Sequence, residues 1–120
     1  MTGAQIRQAL NQQYNENQHY YLQIAGLQYT YHKSDETNPS DRVIEMRDTH
    51  GTSIKDTKNY RVVINDFLHG GGDNFTAFKN TKIVGAAGTD TDALIKYIEE
   101  KTRTAQKVTA PQLNRKIAVE

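Results

Sequence analysis

The spacing of apolar residues changes several times along the chain, and each change marks an element. Ile6, Leu10 and Tyr14 recur every four residues, which places them on one stripe of a helix. Thr2-Gly3-Ala4-Gln5 opens that helix with the T-x-x-Q form of a capping box, whose hydroxyl and amide satisfy free backbone donors. Ten of the first 28 residues are Asn or Gln, and this amide-rich remainder predicts a solvated outer face. From Tyr20 to Tyr31 the period becomes two. Tyr20, Leu22 and Ile24 share one phase and Leu27, Tyr29 and Tyr31 the other, with the slip at Ala25-Gly26. A glycine at such a slip predicts a bulge or bend within a strand.

Residues 32–41, rich in Ser, Asp, Asn and Pro, read as a loop. Val43 to Arg47 predicts a short strand, followed by a turn at Asp48–Gly51 and a return through Ile54. Tyr60 to Phe67 contains the longest aliphatic run, Val62-Val63-Ile64, and predicts a central strand covered on both faces. Ile83 to Ala87 reads as a further strand. Thr89 to Asp92 opens a second helix with apolar stripe Leu94, Ile95 and Ile98, on which Glu99 can pair with Arg103. Pro111 ends the following loop, and Leu113 to Val119 predicts a closing strand. This mixture argues an α+β fold, a mixed β-sheet flanked by helices. With no internal repeat and no long linker, residues 1–120 read as a single domain.

Composition narrows the function classes. The 120 residues carry 15 basic and 14 acidic side chains, a net charge of +1. Such balance supplies no electrostatic footprint for nucleic acid or an anionic membrane. The longest aliphatic run is far below the roughly 20 residues of a membrane span, so no membrane insertion is expected. The absence of cysteine removes disulfides, thiolate metal sites and a cysteine nucleophile together. Hydrophobic residues make up only 36%, a lean core that predicts reliance on a neighbour for part of its burial.

Two segments suggest chemistry. In Asn65-Asp66-Phe67-Leu68-His69-Gly70-Gly71-Gly72-Asp73-Asn74-Phe75 a strand runs into consecutive glycines, where backbone can approach a ligand without intervening Cβ atoms. Phe75 could then offer a ring face to a planar group, or simply pack in the core. The segment is not a phosphate loop, since neither G-x-x-x-x-G-K-[ST] nor G-x-G-x-x-G is present. Asp48-Thr49-His50-Gly51 has the carboxylate–imidazole spacing of a metal site. It lacks the further Asn-His and His-x-His elements such a site needs, and a hairpin turn is the better reading. His19 and His32 read as solvent-facing, and no Ser-His-Asp set stands out.

In order along the chain come Gly3 to Leu10, Tyr21-Leu22-Gln23-Ile24-Ala25-Gly26-Leu27, Asp41-Arg42-Val43, Tyr60 to Leu68, and Gly71-Gly72-Asp73-Asn74-Phe75. This series resembles the C-terminal, substrate-binding domain of the 5'-nucleotidase and UDP-sugar hydrolase family, over nearly the whole chain. The resemblance implies that family's fold, truncated at its N-terminal side, and a division of labour within a longer hydrolase. An N-terminal metallophosphoesterase domain, absent from residues 1–120, would hold two divalent metal ions. The C-terminal domain would grip the nucleoside of a 5'-nucleotide, with a base between two aromatic rings. Phe75 matches the second ring, and the first lies upstream of the segment aligned with Gly3.

The resemblance also implies substrate-binding roles for Asn65, Gly71, Gly72, Asp73 and Asn80. Asn74 stands where the family usually has Gly, and Asn80 falls near the position of an acidic residue that accepts from ribose hydroxyls. No catalytic residue, metal ligand or cofactor is expected in this chain, which alone should be inactive. The expected setting is extracellular or cell-surface nucleotide catabolism. A non-catalytic binding or adhesion module of a surface protein is the alternative.

Overall fold

The computed structural model describes residues 1–33 and 37–120. Helix α1 (Gly3–Gln12) begins as the sequence predicts: the Thr2 hydroxyl accepts from the Gln5 N–H, and the Gln5 side chain accepts from the Thr2 N–H. Strand β1 (Leu27–His32) pairs antiparallel with β2 (Val43–Asp48), and parallel with β3 (Lys116–Val119). The sheet order is β2-β1-β3. A short helix α2 (Asp66–His69) and two 3-10 turns, Gly72–Asn74 and Thr76–Phe78, follow the middle of the chain. Helix α3 (Asp90–Arg103) comes before β3. The expected α+β class with a mixed sheet and helices is what forms.

The chain divides into two compact units, residues 1–81 with 113–120, and residues 82–112. In the first unit α1 serves two apolar clusters. Ile6 and Leu10 face Tyr29, Val43 and Met46 of the sheet, while Ala9 packs with Phe75, Ala77 and Phe78. Gln8, Asn15 and Asn17 are exposed as expected of a solvated face, but not all of the amides are. Asn11 and Gln13 are buried because each closes several otherwise unpaired groups. Asn11 accepts from the Val43 N–H at 2.8 Å and donates to the Ser40 carbonyl at 2.6 Å. Gln13 donates to the Leu10 carbonyl and the Tyr29 hydroxyl, and accepts from the Leu22 N–H and the Lys116 ammonium. Burial, followed by the hydrogen bond to Tyr29, pushes the Tyr14 hydroxyl well above the ordinary tyrosine range. Burial likewise raises Tyr29 and lowers Lys116.

Several predicted strands take other forms. The phase slip at Gly26 is a left-handed residue, φ +82°, and only the half beyond it joins the sheet. Part of the loop, residues 34–36, lies outside the described residues; Pro39–Asp41 forms a 3-10 turn. Tyr60–Phe67 is not a covered central strand. Among the described residues no hydrogen bond reaches the backbone of 61–64, Val63 is 92% exposed, and Asp66 already begins α2. The β-branched run thus has strand composition without a strand partner among the described residues.

The second unit contains α3, capped by the Thr89 hydroxyl accepting from the Asp92 N–H at 3.0 Å. Its predicted stripe, Leu94, Ile95 and Ile98, is exposed. Arg103 pairs with Glu100, three residues back, and not with Glu99. Ile83–Ala87 forms no strand.

Candidate functional site

The glycine-rich segment forms a tight turn supported from α1 and the residues just beyond it. Asn65 is extended, and its side-chain oxygen accepts from the Leu68 N–H at 2.8 Å, capping α2. Gly70 closes α2, and Gly71 then turns the chain with φ +87°. A Cβ on Gly71 would sit 2.6 Å from Cδ of Lys79, and one on Gly72 would sit 2.4 Å from the Phe67 ring. The absent side chains therefore permit close approach, but the neighbours that use the space are this chain's own.

Asp73, Asn74 and Asn80 all adopt positive φ, 53°, 63° and 62°. Left-handed backbone is costly for most L-residues and least so for Asn and Asp, whose short polar side chains bond locally. Gln18 donates to the Asp73 carbonyl at 2.8 Å. Gln12 donates to the Thr76 hydroxyl at 2.6 Å and accepts from the Ala77 N–H at 3.1 Å. The amide-rich stretch thus holds this turn in place. Composition alone offered no signal for that, because pairing partners 55, 64 and 65 positions away are invisible until the chain is folded.

The Asp73 carboxylate is half-buried, and among the described residues no hydrogen bond or ion pair reaches it. Asn80 is exposed. The expectation that Phe75 presents a ring face to a base is corrected by its position. Phe75 is 1% exposed and packs with Ala9, Ala77 and Phe78, its ring centroid 6.2 Å from that of Phe78. Beyond the last glycine the chain turns inward, so the ring fills the second apolar cluster. The exposed ring at the turn is Phe67, 57% exposed and lying against Gly72. Sequence reasoning assigned Phe67 to a buried strand and so passed over it.

A recess of about 150 Å3 is lined by Gln8, Asn11, Gln12, Asn15 and Ser40. It contains none of the expected site residues and is smaller than the roughly 300–1,000 Å3 of small-molecule sites.

Asp48-Thr49-His50-Gly51 is a hairpin turn. One Asp48 carboxylate oxygen accepts from the His50 N–H at 2.8 Å and the Thr52 N–H at 2.9 Å, and Gly51 has φ +81°. The hydrogen bond from Thr52, with that from His50, holds the carboxyl below its ordinary range. Among the described residues no group of three His, Asp or Glu could hold a metal ion. His19 is exposed, whereas His32 is half-buried. Tyr29 lies in the core, and Tyr20 and Tyr21 are exposed.

Comparison with known proteins gives a consistent picture. The family described as "5'-nucleotidase, C-terminal domain" matches residues 1–80. A "Cell wall protein Lmo0130" of Listeria monocytogenes is 45% identical over 98% of this chain, which covers 15% of that relative. A "5'-nucleotidase" of Diplobatis ommata is 28% identical over 82% of the chain, which covers 18% of that relative. A solved 5'-nucleotidase precursor from Thermus thermophilus shares the fold, with TM-score 0.80 and 24% identity, over 99% of this chain and 24% of its own. The chain therefore spans less than a quarter of the length of these relatives.

Proposed function

The chain belongs to the family of 5'-nucleotidase C-terminal domains, and on that premise we propose that it recognises the nucleoside part of the substrate in a longer nucleotide hydrolase. The observation that carries this reading is the strained turn at Gly71–Asn80. It contains left-handed non-glycine residues at Asp73, Asn74 and Asn80, and Gln18 and Gln12 tie it down from outside at Asp73, Thr76 and Ala77. Backbone held this way concentrates where function requires a fixed geometry.

In this reading the Asp73 carboxylate accepts from sugar hydroxyls, a charge-assisted bond. The Asn80 amide and the half-buried backbone of Gly71 and Gly72 contact the same ligand, while Asn65 acts through its cap on α2. Phosphate release would occur in an N-terminal metallophosphoesterase domain holding two divalent ions, with metal-activated water as nucleophile. The names of the Listeria relative and the Thermus precursor support a secreted or surface-attached parent.

The test is a phosphatase assay on the longer polypeptide with manganese or zinc. Asp73→Ala should raise KM for adenosine monophosphate about tenfold or more, a loss of about 1.4 kcal/mol of substrate binding. Hydrolysis of p-nitrophenyl phosphate, which has no nucleoside, should stay unchanged. Equal KM values for the two proteins would remove Asp73 from the site.

A second reading, a non-catalytic binding or adhesion module, is favoured by the 45% identity to a protein named only for the cell wall. An upstream Asp-x-His and Asn-His-Glu set in the longer polypeptide discriminates for the enzyme, and metal-dependent turnover tests it directly.

A further inference from the structure

The backbone of Met1 is already paired. Its nitrogen donates to the Tyr60 carbonyl at 2.9 Å, and the Tyr60 N–H donates to the Met1 carbonyl at 2.8 Å. Exchange of both bonds between two residues defines a hydrogen-bonded antiparallel pair. Thr2 and Asn59 form the next antiparallel bridge. These two pairs fix a register.

Beyond Tyr60 the partner side is open. Arg61, Val62 and Val63 are exposed, and among the described residues no hydrogen bond reaches the backbone of 61–64. Their composition is nonetheless that of a strand, and Tyr60 and Ile64 at its ends pack on the two apolar clusters. An exposed β-branched segment with free backbone groups is a template for another strand.

We propose that in the longer polypeptide the residues directly preceding Met1 form a strand antiparallel to 61–65, covering this edge. The register places the first residue before Met1 opposite Arg61, the second opposite Val62, the third opposite Val63 and the fourth opposite Ile64. A strand running back from Met1 needs no connecting loop and loses no translational freedom, which favours it over a second copy of the chain. The matched relatives are long enough to supply it, since this chain spans only 24% of the Thermus protein that shares its fold.

Alternation of the ladder makes the test residue-specific. Met1–Tyr60 is a hydrogen-bonded pair, so the Val62 and Ile64 amides donate to the new strand. Residue-resolved hydrogen exchange on the longer polypeptide should show both amides slowed on the order of 100-fold relative to unprotected backbone. Residues 1–120 contain no cysteine, which permits a second measurement. Val63→Cys, combined with cysteine at the third residue before Met1, occupies a non-hydrogen-bonded pair close enough for a disulfide. Oxidation should link the two in the folded protein, read by mass after digestion. Unprotected Val62 and Ile64 amides, or no cross-link in protein of native circular dichroism, would overturn the proposal. So would protection that rises with protein concentration, which would assign the edge to a second copy.

Discussion

Replacing Phe75 by alanine separates a core ring from a ligand-facing one. The ring is 1% exposed among Ala9, Ala77 and Phe78. Removing a buried phenylalanine side chain costs about 3–5 kcal/mol, because the transfer and cavity terms add. The tilted pair with Phe78, centroids 6.2 Å apart, accounts for about 0.5–1.5 kcal/mol of that. For a unit of this size each kcal/mol lowers Tm by about 4–8 °C, so a loss of about 4 kcal/mol lowers it by roughly 16–32 °C. Thermal denaturation followed by far-ultraviolet circular dichroism reads the shift. Phe67→Ala is the control: that ring is 57% exposed, and its removal should cost about 1 kcal/mol or less. If Phe75→Ala melts within about 3 °C of the parent chain, the ring does not support the second cluster and its assignment to the core fails.

Gln13→Ala leaves the Leu22 N–H, the Tyr29 hydroxyl and the Lys116 ammonium each short of one partner; urea unfolding should show a loss of about 1–3 kcal/mol. Gly26→Ala meets no neighbouring atom, but its φ of +82° should by itself cost about 1–2 kcal/mol in the same assay. Because burial raises Tyr14 above its ordinary 10.0, the unfolded chain releases that proton first. The Tyr14 contribution is therefore whole below about pH 10 and declines as pH rises toward the raised native value. Lys116, lowered from 10.5, acts with opposite sign, adding stability as pH rises from its native value toward 10.5. Tyr14→Phe should accordingly flatten the fall in urea-derived stability between about pH 10 and 11, and an identical slope would remove Tyr14 as its source.

Local signals carried much of the architecture. The capping box at Thr2 and Gln5, the hairpin at Asp48–Gly51 and the Thr89 cap all form where the sequence placed them, because each rests on groups close together in the chain. The family resemblance also held, and with it the α+β fold. Strand pairing was less legible. Tyr60–Ile64 has the composition of a central strand, but pairing requires a second backbone, and composition cannot report whether that backbone is present. The candidate site divided similarly. The glycines were visible as turn chemistry, whereas Asp73 and Asn80 entered only through the family resemblance and their left-handed backbone was not foreseen. The inward path of Phe75 was not, because the side chain's direction follows from the left-handed Asp73 and Asn74 before it. The buried roles of Asn11 and Gln13 were hidden too, since an amide on a helix reads as polar until its distant partners are known.

The amide ties of α1 have a consequence for the surroundings in which the fold can operate. Asn11, Gln12, Gln13 and Gln18 join the helix and the residues after it to distant loops through uncharged groups. An exposed ion pair such as Arg7–Asp56 fades in concentrated electrolyte, whereas neutral amides neither attract counterions nor titrate. The anchorage of the glycine turn should therefore tolerate brine and mild acid alike.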